Sequence, residues 1–129
     1  MTSPDGVTWT SQTAPNKDFR AVVWTNNQFV AVADDFSTSN NAITSSNGIT
    51  WITQTTPSNY TLRNIDYSPQ LDIIVAIADS GPTQNRVITS RDGITWTTQT
   101  VSGNGVLRSI VWSPNLGIFS IMAASLLNN

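Results

Sequence analysis

Hydrophobic and polar positions along the chain fall into short runs with the period of β-strands, and the runs return in the same order. Phe19-Arg20-Ala21-Val22-Val23-Trp24-Thr25, Leu62-Arg63-Asn64-Ile65-Asp66-Tyr67-Ser68 and Leu107-Arg108-Ser109-Ile110-Val111-Trp112-Ser113 share one pattern. Period two puts Arg, then Val or Ile, then Trp or Tyr on one face, which predicts a strand. A turn follows at Asn26-Asn27, Ser68-Pro69-Gln70 or Ser113-Pro114-Asn115, with the residue types that favour turns. Next comes a nearly continuous apolar run: Phe29-Val30-Ala31-Val32-Ala33, Ile74-Val75-Ala76-Ile77-Ala78 or Phe119-Ser120-Ile121-Met122-Ala123. Runs of this kind suit a strand buried on both faces. A polar loop then leads to a third strand at Ala42-Ile43-Thr44-Ser45 or Arg86-Val87-Ile88-Thr89-Ser90.

The fourth piece is the most regular. It reads Ser3-Pro4-Asp5-Gly6-Val7-Thr8-Trp9, Ser45-Ser46-Asn47-Gly48-Ile49-Thr50-Trp51 and Ser90-Arg91-Asp92-Gly93-Ile94-Thr95-Trp96. Asp or Asn before Gly, followed by alternating apolar and Thr residues, predicts a tight hairpin feeding a strand that carries the Trp. Pro4 favours a three-residue loop, Pro4-Asp5-Gly6, built on a type I turn with Gly6 left-handed, because a two-residue loop would put Pro4 on the strand without an amide to donate. Asp5 to Asn47 spans 42 residues, Asn47 to Asp92 spans 45, and running off the C-terminus back to Asp5 spans 42 again. Four antiparallel strands in such a period are the sequence image of a β-propeller blade. The expected fold is all-β, with three blade-equivalents: a half blade over 1–18, blades over 19–56 and 57–101, and a half blade over 102–129.

The Ser-x-Asp/Asn-Gly-x-Thr-Trp turn resembles the Asp-box, or bacterial neuraminidase repeat, whose pattern is Ser-x-Asp-x-Gly-x-Thr-Trp. This chain is one residue shorter between the acid and the Gly, and Asn47 replaces the acid in the middle copy. The resemblance covers all three repeats and implies a turn between the third and fourth strands of propeller blades in secreted or surface proteins. It implies no activity, since the box is a structural turn in enzymes and non-enzymes alike.

Three blades fall short of the usual ~4 to 8 needed to close a propeller ring and cover its sheet edges. A homodimer closing a six-bladed ring is therefore expected, with one blade shared between chains. In that arrangement Gly6 to Gln12 of one subunit pair in the sheet holding Ile118 to Ala123 of the other. The same frame is also expected of a segment from a longer phage or bacterial surface repeat protein.

Composition sharpens this picture in two ways. Thr occurs 18 times and Asn 13 times while good helix formers are scarce, a balance that favours strands and turns. Eight Asp against six basic residues leave a net charge of −2, so neither nucleic acid nor an anionic membrane is an expected partner. Met1 leads into neither a basic segment nor a long apolar run, so neither signal peptide nor membrane span is expected, and the chain is expected to be soluble.

Lys17 is the single Lys, and Glu, His and Cys are absent. That removes the commonest general base, most metal ligands and every thiol, so the expected function is non-enzymatic, without cofactor or metal. Asp5, Gly6, Asn47, Gly48, Asp92 and Gly93 are read as structural turn residues. Asp34, Asp35, Asp66, Asp72 and Asp79 are read as scattered with respect to the repeat. Trp9, Trp24, Trp51, Tyr67, Trp96 and Trp112 have two readings, core between blades or platforms for sugar rings, and their strict repetition favours core.

Arg20, Arg63 and Arg108 occupy one repeat position at the start of the innermost strand. They are the candidate ligand-binding set, for a glycan or small anionic ligand at a channel mouth, because guanidinium binds carboxylate or sulfate through paired donors. The other reading is that each pairs with a neighbouring Asp. An arginine cluster is also how sialidases hold an acidic sugar, which makes a sialidase-like glycoside hydrolase the enzymatic alternative, although the Glu that such enzymes use is missing. The polar loops Asp34 to Asn41, Asp79 to Asn85 and Ser102 to Gly105 are further binding candidates, and Asn59-Tyr60-Thr61 is a glycosylation sequon.

Overall fold

The computed structural model describes residues 1–80, 86–103 and 105–124, and among these the fold is all-β with no helix. The first sheet is an antiparallel meander of β1 (Phe19–Trp24), β2 (Phe29–Ala33), β3 (Ala42–Ser45) and β4 (Ile52–Gln54), in that spatial order. The second repeats it with β5 (Thr61–Ser68), β6 (Ile73–Ser80), β7 (Val87–Ser90) and β8 (Thr97–Gln99). A ribbon of β9 (Val106–Ser113) and β10 (Ile118–Ala124) follows. At the N-terminus, Thr2 and Thr10 form an antiparallel bridge across the first Asp-Gly turn.

The apolar runs become central strands because both of their faces find neighbours. In β6, Ile74, Ala76 and Ala78 join Val30, Val32 and Ala42 of the first sheet, together with Leu62, Ile65 and Tyr67. Val75 and Ile77 of the same strand, with Val87, turn the other way to pack with Leu107 and Ile110, and Phe119 and Ile121 of β10 close that second cluster. The second sheet is thus sandwiched between the first sheet and the β9–β10 ribbon.

The turns joining the first two strands of each unit differ in sequence but share a left-handed residue in two of the three copies. It is Asp72 (φ 48°) in the second and Gly117 (φ 67°) in the third. Asp tolerates this region better than most residues, and here its carboxylate also accepts the Tyr67 hydroxyl at 2.8 Å.

Two sequence expectations are corrected by the backbone. The Asp-Gly turn is not a three-residue hairpin leading into a Trp strand: β3 ends at Ser45 and β4 begins at Ile52, so Trp51 lies in the connection, as Trp96 does between β7 and β8. The cause is local competition for amides, because the Ser and Asp or Asn side chains take hydrogen bonds that a ladder would otherwise make. The second correction concerns the face shared by Arg, Val or Ile, and Trp or Tyr. The ladder slips between Phe19 and Ala21, between Leu62 and Asn64, and between Leu107 and Ser109. Arg20, Arg63 and Arg108 are the extra residues of these three bulges, so the core face carries Leu62, Ile65 and Tyr67 at spacings of three and then two.

Candidate functional site

Each Asp-Gly turn is held by the same small network. Asp5 Oδ1 accepts the amides of Val7 (2.9 Å) and Thr8 (2.8 Å), while Ser3 Oγ accepts that of Gly6 (2.8 Å). Asn47 does the same through Oδ1 with Ile49 and Thr50, and Asp92 with Ile94 and Thr95. Ser45 and Ser90 accept the amides of Gly48 and Gly93. An amide oxygen thus replaces a carboxylate oxygen without changing the geometry. Gly6, Gly48 and Gly93 sit at φ near +70°, where a Cβ is strained. The Trp9 and Trp96 indoles donate to the carbonyls of Gly6 and Gly93 at 3.2 and 3.1 Å. The Thr8 and Val7 amides, with Ser3, hold the Asp5 carboxyl at about 2. The Thr95 amide acts on Asp92 against its partial burial, with the Ile94 amide and Ser90, and holds that carboxyl at about 2 as well.

The six aromatics expected in the core divide by position. Tyr67, Trp96 and Trp112 are buried, and Trp51 is half-buried. Trp9, in the N-terminal turn, and Trp24 are exposed, and among the described residues no sheet covers the outer flank of the first sheet, which carries Trp24. The buried rings also have polar partners. Asn26 donates to the Tyr67 hydroxyl at 2.8 Å, the Trp112 indole donates to Gln70 Oε1 at 2.9 Å, and the Trp112 amide donates to Asp66 Oδ2 at 2.6 Å. Burial, and then Asp72, push the Tyr67 hydroxyl up from its usual range.

The three bulged arginines form one row with two acids between them. Arg20 donates through Nη2 and Nε to Asp34 Oδ2 at 2.9 and 3.2 Å. Arg63 donates through Nε to Asp79 Oδ2 and lies 4.0 Å from Asp34. Arg108 lies 3.6 Å from Asp79, and its side chain is 51% exposed. The order is Arg20, Asp34, Arg63, Asp79, Arg108, with signs alternating. Burial pushes the Asp79 carboxyl up, but hydrogen bonds from Thr61 and Arg63 and the charges of Arg63 and Arg108 outweigh it and hold the group low.

Asp34 and Asp79 are therefore not scattered: each follows the Ala that closes its apolar run, Ala33 or Ala78, and Ala124 stands at that place in the third copy. Aligning the runs one residue further, to Ala33-Asp34 and Ala78-Asp79, exposes this repeat in the sequence.

The Asp34 to Asn41 loop is tied down internally. Lys17 Nζ donates to Asp35 Oδ2 and Thr38 Oγ1, both at 2.7 Å, and Asn41 Nδ2 donates to the carbonyls of Asp35, Thr38 and Tyr60. The Lys17 ammonium and Ser37 hold the Asp35 carboxyl well below the usual range. Most of the Asp79 to Asn85 loop, and Asn104 of the Ser102 to Gly105 loop, lie outside the described residues. Asn59 of the sequon is exposed. Among the described residues no group of three or more acids is placed to hold a metal.

A cavity of about 460 Å³ separates the N-terminal turn from the outer flank of the first sheet, between Met1, Thr2 and Trp9 on one side and Phe19, Val22, Phe29 and Trp51 on the other. No family model, no curated protein and no solved structure matches this chain.

Proposed function

We propose that this chain is a non-enzymatic, self-assembling β-propeller scaffold or binding module whose two ends complete one another in a homodimer of six sheets. One observation carries the reading: among the described residues an apolar flank is uncovered at each end, and the two flanks are repeat equivalents of surfaces that already pack inside the chain. Phe19, Val22 and Trp24 stand at the positions of Leu62, Ile65 and Tyr67, which the first sheet covers. At the other end Val111 and Met122, both exposed, stand at the positions of Val23 and Val32, which do the covering. Joining the ends between two copies repeats a packing that the chain already makes twice, between the first and second sheets and between the second sheet and the β9–β10 ribbon. It also covers the free edge of β10, which among the described residues pairs with β9 alone; such an edge invites association. Exposed apolar patches of this kind mark interfaces, and the Asp-box-like turns agree with propeller blades. The absence of His, Cys and Glu from the sequence supports the non-enzymatic part.

Light scattering at micromolar concentration is expected to give twice the chain mass of 14.0 kDa. A mass that stays at 14.0 kDa overturns the assembly.

A second reading, anion binding at the arginine row, has its own support. Three guanidiniums share two carboxylates, and among the described residues Arg108 has only the more distant contact to Asp79. Sulfate or an acidic sugar is expected to bind there weakly, and Arg108→Ala to abolish that binding. Retention of the ligand by Arg108→Ala would exclude this site.

A further inference from the structure

The Asp-Gly turns do more than reverse the chain: two of the three are seated in the unit before them. A methyl group placed on Gly48 would lie 3.2 Å from Thr2 Cγ2, and one placed on Gly93 would lie 3.2 Å from Thr44 Cγ2 and 3.0 Å from Val30 Cγ2. Thr2, Thr44 and Thr89 occupy one repeat position, directly before the Ser of the turn. Each Thr is set in the same way, because Gln12, Gln54 and Gln99 donate to its hydroxyl at 2.9, 3.0 and 2.9 Å. The hydroxyl is thereby engaged, and in the two occupied seats the methyl group faces the glycine of the following turn.

Among the described residues, the third turn and the third seat are both empty. None of the described residues lies within 4 Å of a methyl group placed on Gly6. Thr89, already held by Gln99, lines an open groove of about 440 Å³ with Ile73, Ser90 and Asp92. Among the described residues there is thus one turn without a seat and one seat without a turn.

We propose that the groove at Thr89 receives the Ser3–Trp9 turn of a second copy of this chain, with Gly6 packed against the Thr89 methyl group. The proposal rests on the homodimer reading above and names the contact that sets its register. Turn and seat lie on different flanks, so the contact is head-to-tail. It ends in a closed pair only if the rotation brings the second turn onto the first seat, and otherwise propagates. A turn cannot fill the seat of its own chain, since the first sheet and most of the second lie between them.

The chain has no native Cys, which allows a direct test by mixing two single variants, Gly6→Cys and Thr89→Cys, under mild oxidation. The seated geometry would put the two sulfurs within disulfide reach. The expected result is a disulfide-linked pair formed from one of each variant, with neither variant linking to itself. Thr89→Arg, which leaves the turn untouched and fills the groove, is expected to weaken association about tenfold or more.

The wild-type mass separates the possible failures. Linked pairs with a mass of twice 14.0 kDa support both seat and dimer. Linked pairs with a larger mass support the seat and overturn the closed pair. A wild-type dimer with no link, and with Thr89→Arg associating normally, overturns the seat and leaves the dimer standing. A wild-type mass of 14.0 kDa without links overturns both.

Discussion

The two four-stranded sheets are built from the same repeat, yet their equivalent side chains live in different surroundings. Ile65 is 5% exposed and Tyr67 8%, whereas Val22 and Trp24, at the same repeat positions, are 58% and 50% exposed. Residue type does not explain the difference. The second sheet has a neighbouring sheet on this flank, whereas among the described residues the first has only the N-terminal turn across a cavity. Burial here is a property of what comes next in space, which makes the outer flank of the first sheet the place to probe assembly.

The largest effect is expected at the covered flank. Ile65→Ala leaves a cavity in the cluster between the sheets and should cost about 2–5 kcal/mol in urea denaturation. A cost well under 1 kcal/mol would mean that the two sheets are not packed as described.

Gly93→Ala comes next. The left-handed backbone costs about 1–2 kcal/mol, and crowding of Val30 adds roughly 1–3 kcal/mol. Gly6→Ala shares the backbone cost and, in the isolated chain, meets none of the described residues. The difference between the two variants, measured on dilute monomer, isolates the crowding.

Val22→Ala sharpens the comparison most directly. On an open flank it should change stability by no more than ~0.5 kcal/mol. If a second copy covers the flank, the cost should exceed ~1 kcal/mol at high protein concentration and fall on dilution into monomer. Denaturation curves at two concentrations distinguish these outcomes.

The smallest effect concerns the turns. Asp5 and Asp92 are held at about 2 in the folded chain, below the ordinary value of about 3.9. The unfolded chain therefore binds more protons between these values, and the stability that these carboxylates contribute is present above about pH 4 and lost as the pH falls toward 2. Asn47 makes the same turn without titrating. Asp92→Asn should accordingly keep the fold and flatten the acid limb of the stability profile. An unchanged acid limb would place the pH dependence elsewhere.

Much of the strand order is legible in the chain because the apolar runs and their alternation are strong signals. Phe29–Ala33 and the core of Ile73–Ser80 are read from continuous hydrophobicity alone. What escapes is local or relational. Trp51 and Trp96 leave the strands because Ser45, Asn47, Ser90 and Asp92 satisfy amides that a hairpin ladder would have used. The arginine bulges hide because Arg20, Val22 and Trp24 alternate so evenly. The spacing of three between Leu62 and Ile65, and again between Leu107 and Ile110, is the clue that a residue is extra. The exposure of Trp9 and Trp24 is not written in their own positions at all, since it depends on a covering surface.

The bulges also change what substitution can do. A side chain at an extra position belongs to neither phase of its strand, so it is carried to the rim instead of being committed to a packed face. Positions 20, 63 and 108 can therefore change size or hydrogen-bonding character while the hydrophobic layers beneath keep their spacing, provided that Asp34 and Asp79 keep a cationic partner. In this architecture the rim is where new chemistry can be tried without disturbing the interior.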